Sequence, residues 1–372
     1  MRTRVGLIFG GRSGEHEISI RSAKSVIEQI DKEKYEVIPI AITKEGRWLN
    51  PIDSISFFPE ETQKLVDLKS FNHAPITLSP DTSHKGLINL LENIVSPIDV
   101  FFPVLHGTYG EDGTIQGIFE MAGVPYVGCG VLASSCGMDK VIMKNLFKAA
   151  GLPTCRFVWF LRSNFESDKK KTLSLIKEKI GFPCFVKPAN LGSSVGVSKA
   201  EDEQSLEKAV ELAAKYDRKI IVEEALKMRE IECAIIGNED PQASLPGEYV
   251  IRNKEKSFLD YTEKYASTGN NEFVVPAPIS NELVQIVQKM AIKAFKAIDG
   301  SGLARVDFFL KQDDGRILVN EINTMPGLTD ASGFPKMWQA SGLSFQQIIE
   351  RLINLAFERH QDKSRNKTVY EN

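Results

Sequence analysis

The chain carries 372 residues, 42% hydrophobic, 26% charged and 9% aromatic, which excludes disorder and fibrous repeats and suits two or three domains. Its 46 Lys and Arg nearly cancel its 49 Asp and Glu, and the net charge of −3 gives no support to nucleic-acid binding driven by phosphate neutralisation. No apolar stretch approaches the roughly 20 residues of a bilayer span, so no membrane insertion is expected.

The apolar run Val5–Phe9, stopped by Gly10-Gly11, is too short for a signal-peptide core and reads as a buried first strand. Ala23, Val26, Ile27 and Ile30 then recur at helical spacing; Tyr35–Ile42 is a second strand and Asp99–Phe102 a third. Residues 50–95 show little periodicity and read as a peripheral elaboration without chemistry. A helix is expected from near Asp112 through Met121, and a strand over Val124–Val127. This alternation predicts an open, parallel α/β sheet.

A second unit begins near Cys136–Lys140 with a lysine-rich helix, strand Arg156–Phe160 and a helix around Thr172–Ile180. Phe182–Lys187 and Val195–Lys199 read as antiparallel strands around a polar glycine-serine tip, followed by a helix through Leu206–Ala213 and strand Ile220–Glu223. The last part carries strands Ile231–Ile236, Ala304–Leu310 and Arg316–Asn320 and helices Leu283–Ile298 and Phe345–Phe357, with a frayed polar tail after Arg359. Five scattered cysteines (Cys129, Cys136, Cys155, Cys184, Cys233) form no C-x-x-C pair and are expected as reduced, buried thiols of a cytoplasmic protein.

Several stretches suit chemistry. The turn Gly10–Glu15 can present amides to an anion, though a purely structural turn serves equally; neither a dinucleotide fingerprint nor a P-loop is present. His106–Gly113 follows a buried strand, where open sheets bind ligands, although His106 by itself reads better as a core histidine. Lys187 and the tip Asn190–Gly196 can cover a polyphosphate, or form only a surface hairpin. Glu223-Glu224 can accept from an adenine amino group and Glu230 from ribose hydroxyls; solvated acids are the alternative. Arg305 and Asp307 share one strand face, and Glu321 and Asn323 share the next. Two acids and an amide oxygen amid apolar neighbours suit Mg²⁺ better than a salt-bridged surface does. The turn Thr324–Thr329 would aim its amides at the same place.

In this order the motifs resemble the ATP-grasp superfamily, and within it the D-alanine–D-alanine ligase family, from Val5 to about Phe357. The resemblance rests on Gly10-Gly11 with Glu15–Ser19, His106–Gly113 continuing to Gly117, Gly128–Gly130, Met138–Lys140, Val186–Gly196 and, most specifically, Asn320–Gly327. It implies an ATP-grasp fold, α/β overall and α+β by domain, in which an open α/β N-terminal domain precedes two α+β domains that sandwich ATP. The division expected is 1–137 for substrate binding and dimerisation, 138–227 covering the nucleotide, and 228–372 with the metal site and a lid at about 246–271.

Site roles follow from the same resemblance. Lys140, Lys187 and Ser194 would serve the ATP phosphates, Glu223, Glu224 and Leu226 the adenine, and Glu230 the ribose. Asp307, Glu321 and Asn323 would hold two Mg²⁺ or Mn²⁺ ions. Glu15 would bind the ammonium of the first D-alanine, assisted by His106. Ser332 would meet the carboxylate of the second D-alanine, Gly333 and Lys264 would also bind substrate, and Arg305 with the Gly327 amide would stabilise the tetrahedral oxyanion. Ser193 and Tyr265 would link to Glu15 and close the site. The implied reaction makes D-alanyl-D-alanine through a D-alanyl phosphate for peptidoglycan synthesis, in a cytoplasmic homodimer. The lid motif Asp260–Tyr265 favours D-alanine over D-lactate or D-serine as acceptor. Another carboxylate–amine ligase and a nucleotide-binding protein without catalysis are the rivals.

Overall fold

The computed structural model describes residues 2–84, 86–92, 94–192, 195–251 and 271–367. The N-terminal sheet is parallel and ordered β2-β1-β6, from β1 (Thr3–Gly10), β2 (Tyr35–Ile42) and β6 (Val100–Pro103), with α1 (His16–Gln29) crossing between the first two. Residues 50–95 form α2 (Pro51–Ile55), α3 (Glu60–Gln63) and a small antiparallel sheet of β3 (Ile76–Leu78), β4 (Gly86–Asn89) and β5 (Ile94–Pro97). Phe58, Leu78 and Leu87 from this segment are buried, so it contributes to the core.

The helix expected near Asp112 is present, and the strand expected after it is corrected. The helix α4 (Thr114–Ala122) starts after Asp112, because Gly113 is left-handed (φ 91°) and Asp112 accepts the Thr114 N–H at 3.0 Å. Val124–Val127 forms no strand: it meets the sheet in one bridge, Phe101 to Tyr126, and Pro125 lacks the N–H that would extend it.

After α5 (Val131–Met138), Asp139 caps α6 (Lys140–Ala149) by accepting the N–H groups of Val141 and Ile142. The middle unit is an antiparallel sheet ordered β7-β10-β8-β9. Its strands are β7 (Phe157–Leu161), β8 (Cys184–Pro188), β9 (Ser198–Ala200) and β10 (Lys219–Glu224), interleaved with α7 (Arg162–Ser167), α8 (Lys169–Lys179) and α9 (Glu203–Tyr216). Val186, Ile220 and Val222 enter a core with Ile176 and Leu206, so strand alternation sends Lys187 and Glu223 to the opposite face.

The last sheet has six strands, ordered β14-β13-β11-β15-β16 with β12 beside β11. They are β11 (Met228–Gly237), β12 (Gln242–Ala243), β13 (Gly247–Ile251), β14 (Asn271–Val274), β15 (Gly302–Lys311) and β16 (Ile317–Asn323). Helix α10 (Asn281–Ala297) packs on the face carrying Ile231, Cys233, Val306 and Val319. The register slips between Asp307 and Phe308, whose partners are Glu321 and Val319, so Asn320 is left over as a bulge. The bulge lets Val319 and Ile322 both join the core while Glu321 and Asn323 face away from it.

Helices α11 (Gly333–Ala340) and α12 (Phe345–Lys363) complete the chain. Ile348, Leu352 and Ile353 share one core with Val5, Leu7, Phe9 and Val26, so the last helix packs on the first strand's layer. The expected frayed tail is corrected: α12 continues to Lys363. Arg359 donates to the carbonyls of Tyr126 and Gly128 and to Ser301 Oγ, its guanidinium 4.1 Å over the Tyr126 ring, and Lys363 pairs with Glu120 at 2.5 Å.

Candidate active site

Two adjoining cavities lie where the three parts meet. One is walled by the middle and six-stranded sheets through Lys187, Glu223, Glu224, Leu226, Glu230 and Asp307. The other reaches the N-terminal sheet and is lined by Glu15, His106, Arg305, Asn323, Gly327, Ser332 and Gly333. Lys140, Leu191, Gly192, Glu232 and Glu321 line both, which makes them one continuous cleft. Every described residue expected in the site is therefore brought to it. Ser193, Ser194, Lys264 and Tyr265, with most of the expected lid, lie outside the described residues.

At the N-terminal end, backbone geometry sets the site. Gly10 and Gly11 adopt φ of 88° and 92°, which turns the chain from β1 into α1. Glu15 packs where no side chain fits: a Cβ on Gly107 would fall 2.9 Å from its Oε2, and one on Gly192 3.3 Å. His106 is buried beneath, its Nδ1 donating to the Met325 carbonyl at 2.9 Å and its Nε2 2.9 Å from Ser22 Oγ. Ser22 Oγ also accepts the Leu328 N–H at 3.3 Å, so the histidine joins α1 to the turn after β16. Burial pushes the imidazolium down, but the hydrogen bond and charge of Glu111, with Glu15, outweigh it and raise His106 above its ordinary value. Beyond it, Ser332 is the N-cap residue of α11 but its hydroxyl turns back to Thr329, 2.8 Å from Oγ1, and a Cβ on Gly327 would strike Ser332 Oγ at 2.7 Å.

The opposite end is built from compensated charge. Glu223 is 2% exposed and holds two ammonium groups, Lys187 at 2.7 Å and Lys144 at 3.0 Å. Burial would raise its carboxyl, but the two lysines more than offset that and lower it to about 2. Lys187 and Lys144 are likewise raised: burial opposes their charge and Glu223 restores it. Lys140 donates to the Leu191 carbonyl at 2.7 Å and lies 3.9 Å from Glu321. Glu224 accepts both the amide and the Nε of Arg156 at 2.8 Å.

Between the ends, Arg305 grips Asp307 with two hydrogen bonds of 2.6 Å and lies 3.4 Å from Glu232. Asp307 stands opposite Glu232 on one side and Glu321 on the other, and Asn323 opposite Arg305. The Asn323 amide oxygen accepts the Met325 N–H at 2.8 Å. Among the described residues no group of three or more His, Cys, Asp or Glu converges on a metal position. Two carboxylates and an amide oxygen on adjacent strands remain a hard-oxygen set, suited to a divalent ion whose other ligands are phosphate and water.

Sequence reasoning missed Arg21, Glu111, Lys144, Glu232 and Tyr249, of which all but Lys144 line the cleft. Lys144 follows Lys140 by four residues, and Glu232 follows Glu230 by two, so helical and strand periodicity place each beside a residue that was found.

The two sheets close on a cleft with Lys187 and Glu223 on one wall and Asp307 and Glu321 on the other, the arrangement of an ATP-grasp enzyme. Family models match residues 4–129 (D-ala D-ala ligase N-terminus) and 146–354 (D-ala D-ala ligase C-terminus). The chain is 48% identical to the D-alanine–D-alanine ligase of Ruminiclostridium cellulolyticum, over 99% of this chain and 98% of that one. It is 44% identical to that of Bacillus licheniformis over the whole of both. Among solved structures, the VanG D-Ala:D-Ser ligase from Enterococcus faecalis superposes with a TM-score of 0.82 at 37% identity, over 96% of this chain and all of that one. The D-alanine–D-alanine ligase from Coxiella burnetii gives 0.81 at 34% identity, over 98% of each. The chain belongs to the D-alanine–D-alanine ligase family, whose members are ADP-forming ligases. No helix among its described residues is long and apolar enough to cross a membrane.

Proposed function

We propose that the cleft joins two D-alanine molecules at the expense of ATP, releasing ADP and phosphate and supplying D-alanyl-D-alanine for peptidoglycan precursors. The observation that carries this reading is the shared wall. Lys140, Gly192 and Glu321 line both cavities, so a terminal phosphate held in one is within reach of a carboxylate held in the other.

The nucleotide lies between the two sheets. Glu223 accepts from the adenine amino group, Glu224 and Leu226 flank the base, and Glu230 takes the ribose hydroxyls. Lys187 leaves Glu223 for the phosphates, joining Lys140 and the Ser193–Ser194 loop. Asp307, Glu321 and Asn323 would hold two Mg²⁺ or Mn²⁺ ions, which when bound neutralise phosphate charge. Glu15, above His106, orients the ammonium of the first D-alanine. Its carboxylate oxygen attacks the γ-phosphorus, the bond to the bridging oxygen breaks, and ADP leaves with that electron pair. The second D-alanine, its carboxylate against Ser332, Gly333 and Lys264, passes an ammonium proton to a phosphate oxygen of the D-alanyl phosphate, and its amine attacks the carbonyl carbon. Arg305 and the Gly327 N–H take the developing oxyanion until phosphate departs. A link from Glu15 through Ser193 to Tyr265 closes the site against water.

A three-part chain divided at about residues 137 and 227, paired as a cytoplasmic homodimer, completes the reading. The test is ADP release with D-alanine, L-alanine, D-lactate and D-serine, with product identification. D-Alanyl-D-alanine is expected to predominate; an ester or a D-alanyl-D-serine product at neutral pH would overturn the acceptor assignment, and ADP release independent of D-alanine the reaction.

A further inference from the structure

Glu223 carries two cations, and they differ in what they face. Lys187 lines the nucleotide-side cavity beside Glu321. Lys144 lines neither cavity, and its side chain is 1% exposed. Its Nζ donates to the Asn320 carbonyl at 2.9 Å and to Cys155 Sγ at 3.6 Å, and it is ion-paired with Glu223 Oε1 at 3.0 Å. Asn320 is the bulged residue of β16, so its carbonyl is free for Lys144 instead of a neighbouring strand. One ammonium thus ties α6, the strand bearing Glu223 and the strand bearing Glu321.

An anionic ligand can draw Lys187 off Glu223, because Lys187 borders the cavity. A buried carboxylate stripped of its only cation would be strongly disfavoured. Glu223 is spared that loss, since Lys144 has no route to the ligand. We infer that Lys144 is a positioning residue for the nucleotide base: it stays on Glu223 Oε1 when Lys187 turns to phosphate, and holds Oε2 toward the exocyclic amino group of adenine. The inference deepens the reading of Glu223 as the base acceptor and rests on it. Its consequence is base selectivity, because a fixed carboxylate favours a 6-amino purine and repels a 6-oxo one.

The experiment compares kcat/KM for ATP and for ITP in the full-length enzyme with D-alanine, for wild type, Glu223→Gln, Lys144→Met, Lys144→Arg and the Lys144→Met/Glu223→Gln double variant. Wild type is expected to prefer ATP, Glu223→Gln to lose that preference, and Lys144→Met to lower the ATP:ITP ratio about tenfold, the size of one hydrogen bond to a charged group. Lys144→Arg should keep the ratio, and the double variant should match Glu223→Gln, as groups acting through one another require. A Lys144→Met enzyme with the wild-type ratio, alongside a Glu223→Gln enzyme that has lost it, would overturn the inference alone. An unchanged ratio in Glu223→Gln would overturn the base assignment and the inference with it. Should Lys144→Met be recovered unfolded, a folded double variant, which has no carboxylate to compensate, supports the inference. An unfolded double variant makes Lys144 a strut between the sheets and overturns it.

Discussion

The two ends of the cleft are organised by different physics. Around Glu15 and His106 the site is shaped by backbone: left-handed glycines, positions without room for a Cβ, and a chain of hydrogen bonds from Leu328 through Ser22 and His106 to Met325. Around Glu223, and between the ends at Arg305, it is shaped by counter-ions, with Lys187 on Glu223 and Arg305 on Asp307. The first end is held by close packing and hydrogen bonds that reach from α1 to the turn after β16. The second holds its charged groups in internal pairs, so that under the proposed function charged ligands would replace those partners instead of entering bare low-dielectric space.

The largest effect is expected where exchange matters most. Glu321→Gln should reduce D-alanine-dependent ADP release by about 10²-fold or more, as removal of a charge that organises phosphoryl transfer does; near-normal turnover would break the assignment of Glu321 to the metal set. Next, Lys187→Met should destabilise the fold by about 1–3 kcal/mol, less than breaking a buried pair outright because Lys144 remains. Chemical denaturation measures this, and an unchanged midpoint would mean that Glu223 does not need its second cation.

The pH dependence sharpens the same contrast. Glu223 is lowered from 4.5 to about 2, so the unfolded chain takes up its proton first. Its contribution to stability is full above pH 4.5 and is lost as pH falls toward about 2. Melting temperature followed down this range should fall more gently in Glu223→Gln than in wild type; parallel curves would show that the carboxylate is not held in its charged form. The smallest effect belongs to the backbone-built end. Ser22→Ala should cost about 1 kcal/mol and raise KM for D-alanine more than it lowers kcat, and an unchanged KM would disconnect His106 from substrate.

Legibility in the sequence follows the range of the interactions. Lys187, Asp307, Glu321 and Asn323 were visible because strand alternation is local and their apolar neighbours mark the buried face. Lys144 was not, since four-residue spacing of lysines on a helix also describes a solvated face, and its partners lie on β10 and β16, far along the chain. The bulge at Asn320 was equally hidden: unbroken alternation would put Val319 and Glu321 on one face, whereas the structure separates them. Arg359 misled in the other direction. Its acceptors at Tyr126 and Gly128 are more than two hundred residues away in sequence, and the polar stretch after it, expected to fray, continues the helix to Lys363, which pairs with Glu120.

The anchor at Arg359 also bears on how the protein is made. The apolar layer that begins with Val5, Leu7 and Phe9 is finished by Ile348, Leu352 and Ile353, and Arg359 locks the seam. One face of β1 therefore has its core closed only when α12 docks on it. The middle unit, whose core draws on Phe160 to Val222, can fold on contacts of its own.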